Sequence, residues 1–220
     1  MTEIMSRSVV LPSGEVRFLE AGSHNAQTVL LLHGGGLDCA HLSWRCVMPA
    51  LSATHHVIAP NWPGYGGTTA FNRPYTIPDL GRWLMGLLGG GAALWSAINH
   101  PERVTKLVPV STYGIAARAP YHFLTFLLTR LPLNALSYAA MARYPSLLKR
   151  AVDSIFADPK KVTPELLAEV ADVLQTSGHG AAFTHFQRAE MTAARLRSAF
   201  AAELHEIVQP TLFIHGANDA

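Results

Sequence analysis

Long charged runs, a cysteine framework and an apolar leader are all missing from this sequence of 220 residues. No run of five like charges occurs and the formal net charge is only +2, so neither nucleic acid nor a membrane is an expected partner. The first ten residues contain no long apolar stretch, which disfavours a signal peptide. Its two cysteines, Cys39 and Cys46, could in principle pair, but we expect reduced thiols in a cytoplasmic protein.

Cofactor motifs are missing as well. No metal-ligand spacing and no dinucleotide fingerprint is present, and the glycine run at 89–91 is not followed by Lys-Ser/Thr. Residues 83–101 carry no formal charge, but glycines, Asn99 and His100 interrupt them, whereas a spanning helix needs about twenty mostly apolar residues. We therefore expect no cofactor, and a core segment at 83–101 instead of a membrane helix.

The patterns that are present predict strands alternating with helices. Residues 15–20 alternate as a half-buried strand does, whereas 28–32 and 56–59 are short continuous apolar runs typical of buried parallel strands. Further buried strands are predicted at 106–111 and 210–215, and helices at 77–88 and 92–99. With 49% hydrophobic residues, the chain can bury a sizeable core.

A long helical block interrupts this alternation. From 119 to about 207 the pattern is almost wholly helical, with breaks at Pro132, Pro145, 158–159 and 177–178. Thr163, Pro164 and Glu165 form a good helix start, with an N-cap hydroxyl and a proline at the first helical position. The predicted organisation is an α/β core over 1–114, a helical cap inserted at 115–207, and a return to the core at 208–220.

Four motifs in this order carry a family resemblance: LLHGGGLD at 31–38, APNWPGYGGTT at 59–69, NHPERV at 99–104 and PTLFIHGAND at 210–219. Together they resemble the α/β-hydrolase superfamily, in particular its capped serine hydrolases, which cleave esters or carbon–carbon bonds. The resemblance implies a mostly parallel sheet with a helical cap, and a small apolar or aromatic substrate that binds without a cofactor. It says nothing of the oligomeric state.

The resemblance also assigns site residues. Gly34, Gly35 and Gly36 match the loop whose backbone N–H groups bind the developing oxyanion, where preformed donors contribute roughly 3 to 4 kcal/mol each. Asp219 matches the triad acid, which orients a histidine and stabilises its cation. In residues 61–68 asparagine and threonine replace the family's usual acid and serine, and we interpret this loop as a sharp turn that shapes the rim of the site.

The nucleophile turn of that family, G-x-S-x-G, occurs nowhere in the sequence. Where the turn and its central strand belong, residues 86–94 read GLLGGGAAL. Either a poor strand forms there or two helices run together through a glycine kink, and we favour the fused helix. No substitute nucleophile stands out: Ser96 falls inside a helix, Ser111 ends a strand without a strained turn, and Cys39 is expected to pack in the core.

The base histidine of a triad is not identified either. The sequence stops one residue past Asp219, so we expect the last strand and the histidine to be missing. His33 and His215 belong to the glycine loop and a strand, and His179 and His185 to the cap. Three hypotheses follow: a hydrolase without competent chemistry, a non-catalytic protein that binds an apolar ligand or a partner, or a gene-model fragment.

Overall fold

The computed structural model describes residues 3–88, 93–176 and 179–217. Its sheet contains β1 (Met5–Leu11), β2 (Gly14–Ala21), β3 (Thr28–Leu30) and β4 (His56–Pro60) in the order β1-β2-β4-β3. β2 is antiparallel to both of its neighbours, whereas β3 and β4 are parallel. The strands predicted at 15–20, 28–32 and 56–59 are confirmed. β1 was not predicted, although the Pro-Ser-Gly turn at 12–14 is the kind of signal that marks a hairpin.

The helices of the described residues include two that were predicted in the first half of the chain, at 77–88 and 92–99, and two short ones that were not, at 40–44 and 48–51. They are α1 (Ala40–Trp44), α2 (Met48–Leu51), α3 (Ile77–Leu88), α4 (Ala93–Asn99), α5 (His122–Arg130), α6 (Leu133–Arg143), α7 (Pro145–Asp153), α8 (Pro164–Thr176) and α9 (His179–Glu190). α3 has the predicted bounds, and α8 begins as predicted because the Thr163 hydroxyl accepts the Leu166 N–H at 3.2 Å. Short 3₁₀ turns occur at Pro101–Arg103, Pro159–Lys161 and Leu204–Glu206.

The predicted helical block ends earlier than expected. Residues 191–203 are irregular, so the prediction of helix up to about 207 was wrong for this stretch. The backbone donors there go to another segment: Leu196 N–H to Ala117 O at 2.8 Å and Phe200 N–H to Gly114 O. A helix cannot propagate where its N–H groups are already used in this way.

The chain forms two compact units. One comprises the described residues up to Phe71 together with Asn134–Phe183, and the other comprises Asn72–Leu133 together with the described residues from Thr184 onward. In the first unit, the sheet packs on α1 and α2 through a buried cluster. A second cluster joins residues near the start of α1, such as Cys39 and Leu42, to Leu148 of α7 and to Val170 and Leu174 of α8. The predicted boundaries at 114 and 207 remain a prediction.

The second unit contains two short segments, residues 107–110 and residues 211–214, that run parallel to each other. Leu107 bridges Thr211 and Val110 bridges Ile214, so the buried strands predicted at 106–111 and 210–215 are present only as isolated parallel bridges, and the predicted burial was wrong for most of their residues. The Ser111 N–H donates to Ile214 O at 2.9 Å. Several apolar side chains of these segments are exposed: Val108, Val110, Leu212, Phe213 and Ile214.

Only part of the glycine-rich segment at 86–94, where the nucleophile turn is expected, belongs to the described residues. α3 is helical as far as Leu88 and α4 begins at Ala93, while 89–92 lie outside the described residues. Within the described part of the chain, no strand occurs between β4 and Leu107. Residues 86–88 are therefore helical instead of forming the start of a poor strand, and the predicted glycine kink stays a prediction.

Candidate functional site

The glycine loop, defined as residues 33–36, begins where β3 ends. Leu31 N–H donates to Ile58 O at 2.9 Å, which extends the parallel pairing of β3 and β4 to the loop. Gly34 and Gly35 are exposed. Gly36 has φ of 75°, a left-handed conformation that a residue with a side chain adopts only with strain. The loop therefore lies at the carboxyl end of a parallel strand, where α/β sheets place their ligands.

His33 anchors the loop from below. Its side chain is fully buried, with Nδ1 2.8 Å from Gly34 O, and Nε2 accepts the Trp62 N–H at 3.1 Å. The Trp62 indole N–H donates to His33 O at 2.7 Å. Burial lowers the pKa of His33 to about 3, although the contact with the Gly34 carbonyl opposes this shift. The imidazole is therefore neutral, carries its proton on Nδ1, and joins two loops instead of acting as a base.

Asp38 lies two residues after the glycine loop and fixes it by bonding back to Gly34. Its carboxylate accepts the Gly34 N–H at 2.8 Å, the Cys39 N–H at 2.8 Å, and the Ser43 hydroxyl at 2.9 and 2.7 Å on its two oxygens. The Gly34 N–H is thus engaged within the protein. Within the part of the chain that the structure describes, the N–H groups of Gly35 and Gly36 donate no hydrogen bond.

The loop at 61–68 supports the same region. Asn61 accepts the Ala40 N–H at the start of α1 at 2.9 Å and donates to Arg17 O at 3.3 Å. Gly66 has φ of 51°, and a Cβ there would overlap the Asn61 amide. The Thr68 hydroxyl accepts the Arg17 N–H at 3.0 Å. The asparagine and threonine that replace the family's usual residues therefore hold the turn in place, which is a structural role.

Aromatic side chains surround the glycine loop. The Tyr65 ring meets His33 edge to face with centroids 5.3 Å apart. A Cβ built on Gly35 would lie 3.2 Å from the Phe183 ring, and one built on Gly36 would lie 3.7 Å from the Tyr138 hydroxyl oxygen. Tyr138 and Phe183 both belong to the stretch predicted as the cap. Bulky side chains at 35 and 36 are excluded, and the loop faces rings and a phenol.

Sequence reasoning missed Asp38, Ser43 and Tyr138. An acid directly after a glycine run, with a hydroxyl five residues later on the following helix, is a usable signal for a tethered loop. Nothing in the sequence separates Tyr138 from the other aromatic residues of the cap, because its place over Gly36 depends on tertiary packing.

The three residues considered as substitute nucleophiles, Ser96, Ser111 and Cys39, differ in burial and in hydrogen bonding. Ser96 is fully buried on α4, and its hydroxyl has no hydrogen-bond partner in the described chain. Burial raises the pKa of the Cys39 thiol, opposed by the N–H groups of Leu42 and His41, and this disfavours the thiolate. Ser111 is exposed with φ of 42°, so it is strained, contrary to expectation.

Asp219, the residue that matches the triad acid, lies outside the described residues, and its role as a triad acid stays a prediction. His215, four residues earlier, is exposed. The described residues do contain a hydroxyl beside a histidine, Thr54 with His55 at 2.8 Å, but these are sequence neighbours on an exposed turn.

Among the described residues, no group of three or more histidine, cysteine or carboxylate side chains is placed to hold a metal ion. No helix in that part of the chain combines the length and the apolar character needed to cross a bilayer.

Comparison with known proteins gives consistent matches. Residues 27–84 match the sequence model of the alpha/beta hydrolase fold family. A pimeloyl-[acyl-carrier protein] methyl ester esterase of Edwardsiella ictaluri is 32% identical over 116 residues, which is 43% of this chain and 44% of that protein. A 2-hydroxymuconate semialdehyde hydrolase of a Pseudomonas species is 33% identical over 105 residues, or 40% of this chain and 37% of that protein.

A solved structure extends the likeness to nearly the whole chain. The serine hydrolase CarC, involved in carbazole degradation, superposes with a TM-score of 0.76 at 21% identity, covering 97% of this chain and 80% of CarC. At that identity the likeness establishes the fold. The sequence matches span less than half the length of the two enzymes named above.

Proposed function

We propose, from the α/β-hydrolase fold that this chain has, that its glycine loop binds the oxygen of a small apolar or aromatic ester or ketone. The parent reaction of such a protein is hydrolysis of an ester or a carbon–carbon bond, as the names of the two enzymes similar to it suggest. The chain as given, however, has no competent nucleophile and does not turn over. It uses a soluble small molecule as ligand and needs no cofactor.

One observation carries the binding part of this proposal. Asp38 engages the Gly34 N–H, so the loop is rigid at that end, and the exposed loop keeps the N–H groups of Gly35 and Gly36 without a protein acceptor. Donors that are fixed before a ligand arrives cost no reorganisation when charge develops on an oxygen. The nearby rings of Tyr65 and Phe183 suit an apolar or aromatic group attached to that oxygen.

The inactivity rests on the sequence. No G-x-S-x-G turn is present in the chain, and among the residues described between β4 and Leu107 no strand precedes such a turn. An oxyanion site without a nucleophile and base supports only a residual rate, far below that of a complete triad. The second hypothesis is a non-catalytic protein that binds a small hydrophobic ligand or a partner.

The test is ester turnover by the purified chain. With p-nitrophenyl acetate and butyrate as substrates, we expect the parent and an Asp219→Asn variant to release nitrophenol at the same rate. A triad acid acts only through its histidine and serine, so its removal has nothing to uncouple when the serine is missing. Glu102→Gln, at an exposed carboxylate, is the matched control.

A Ser111→Ala variant completes the series, because Ser111 is an exposed serine with a strained backbone. Turnover that falls at least tenfold in Asp219→Asn or Ser111→Ala, but not in Glu102→Gln, would overturn the inactive interpretation. In that case an unrecognised nucleophile would be at work.

A further inference from the structure

The phenol of Tyr138 stands over the glycine loop. Its oxygen is 3.7 Å from the point that a Cβ of Gly36 would occupy, which is contact distance. The side chain is partly buried, and its hydroxyl makes no hydrogen bond to another described residue. A hydroxyl half removed from water and left without a protein partner is an unused donor and acceptor.

The ring of Tyr138 is held in position by its packing. Gly180, near the start of α9, lies so close that an added Cβ would come within 3.1 Å of the Tyr138 Cγ. The ring therefore rests against backbone, which limits its rotation about χ1. Met141, on the same helix, packs with Tyr138 against the buried cluster that includes Cys39 and Leu42. The position of the phenol is therefore set by the fixed groups that pack against its ring.

We propose that the Tyr138 hydroxyl donates a third hydrogen bond to the ligand oxygen held by Gly35 and Gly36, and so selects ligands that carry an oxyanion on an apolar or aromatic group. This inference rests on the function proposed above. Donors as much as about 5.6 Å apart can share one acceptor oxygen, because each bond is about 2.8 Å long. A carboxylate or enolate fits this arrangement better than an alcohol, because both N–H groups and the phenol are donors.

The protonation state supports this role. Burial raises the pKa of Tyr138 to about 12, so the phenol keeps its proton at neutral pH and serves as a donor. A phenolate beside the loop would repel the same ligand.

The experiment measures binding, so it does not depend on turnover. Calorimetric titration with benzoate and with benzyl alcohol compares an anionic and a neutral head group on the same ring. We expect Tyr138→Phe to raise the Kd of benzoate about tenfold or more, the usual loss for one hydrogen bond to a charged group, and to leave benzyl alcohol within twofold. Gly180→Ala, which crowds the ring, is expected to weaken benzoate as well.

Tyr144→Phe is the matched control, since this neighbouring tyrosine is exposed and should change neither Kd. An unchanged benzoate Kd in Tyr138→Phe would overturn the inference and leave the proposed function standing. An equal loss for benzoate and benzyl alcohol would also overturn it, because the phenol would then only shape the pocket. If the parent chain binds no benzoate at all, the inference fails, and titration with the neutral ester methyl benzoate decides the proposed function separately. Tyr138→Phe removes a hydroxyl that has no partner in the described chain, so the variant is expected to fold.

Discussion

Glu190 offers the sharpest test of what holds the second unit together. It is the last residue of α9 and is fully buried. Its Oε1 accepts the Ile77 N–H at 2.6 Å and the Ser198 hydroxyl at 2.8 Å, and its Oε2 accepts the Ser198 N–H at 3.0 Å. Ile77 is the first residue of α3 and lies 113 residues from Glu190 in sequence, so one carboxylate joins this helix start to the loop at Ser198.

The magnitude follows from these three bonds. In Glu190→Gln one oxygen becomes an NH₂ group, so at least one donor must face another donor and lose its partner. A hydrogen bond to a charged group contributes about 1.5 to 3 kcal/mol, and the lost charge also no longer favours the positive end of α3. We expect a loss of about 2 to 3 kcal/mol in unfolding free energy. Glu190→Ala leaves two backbone N–H groups without an acceptor and creates a cavity, so we expect the unfolding free energy to fall by about 4 kcal/mol or more.

Urea unfolding followed by far-ultraviolet circular dichroism measures both losses, provided that the dependence on urea is unchanged. Glu102→Gln, at an exposed glutamate, is the control and should stay within about 0.5 kcal/mol of the parent. A Glu190→Gln variant as stable as the parent would refute the reasoning, because three buried hydrogen bonds would then contribute nothing.

Two further predictions concern titratable groups. The folded pKa of His33 is lowered to about 3, so the folded state binds fewer protons than the unfolded state at mildly acidic pH. The contribution of His33 to stability is therefore constant above about pH 6.5 and is lost as the pH falls toward 3. In nitrogen-15 NMR spectra, a His33 ring signal that titrates between pH 6 and 7 would contradict this prediction. Of the two free cysteines, exposed Cys46 should react with Ellman's reagent at once and buried Cys39 only after unfolding, whereas equal rates would show that Cys39 is accessible.

The strands β2, β3 and β4 and the helix α3 were predictable because local pattern and tertiary environment agree there, whereas α1 and α2 were not predicted. Residues 28–32 and 56–59 are continuous apolar runs, and they give the parallel strands β3 and β4. β4 is buried from Val57 onward, whereas β3 is exposed at Thr28 and half-buried at Val29 and Leu30. The glycines of 33–36 follow at once, so a tight turn at the strand end was also readable from the sequence. The β1 strand was missed because its side chains are mostly exposed and give no buried pattern.

The site was predictable only in part. Glycine positions indicate where backbone can approach a ligand, but not which N–H groups remain unpaired. That distinction depends on Asp38, whose carboxylate engages the Gly34 N–H. Tyr138 could not be found from sequence for a similar reason: its phenol reaches Gly36 across more than a hundred residues, and no local pattern records such a contact.

The paired segments at 107–110 and 211–214 have a consequence for handling the protein. Their apolar side chains are exposed, and in the described chain these segments pair only with each other, through isolated bridges. Their remaining backbone N–H and C=O groups can therefore pair with any other extended chain. Self-association by strand addition is second order in protein, so dilute solutions delay it strongly. Charged residues placed at Val108 or Leu212 would act as gatekeepers and raise solubility without touching the glycine loop.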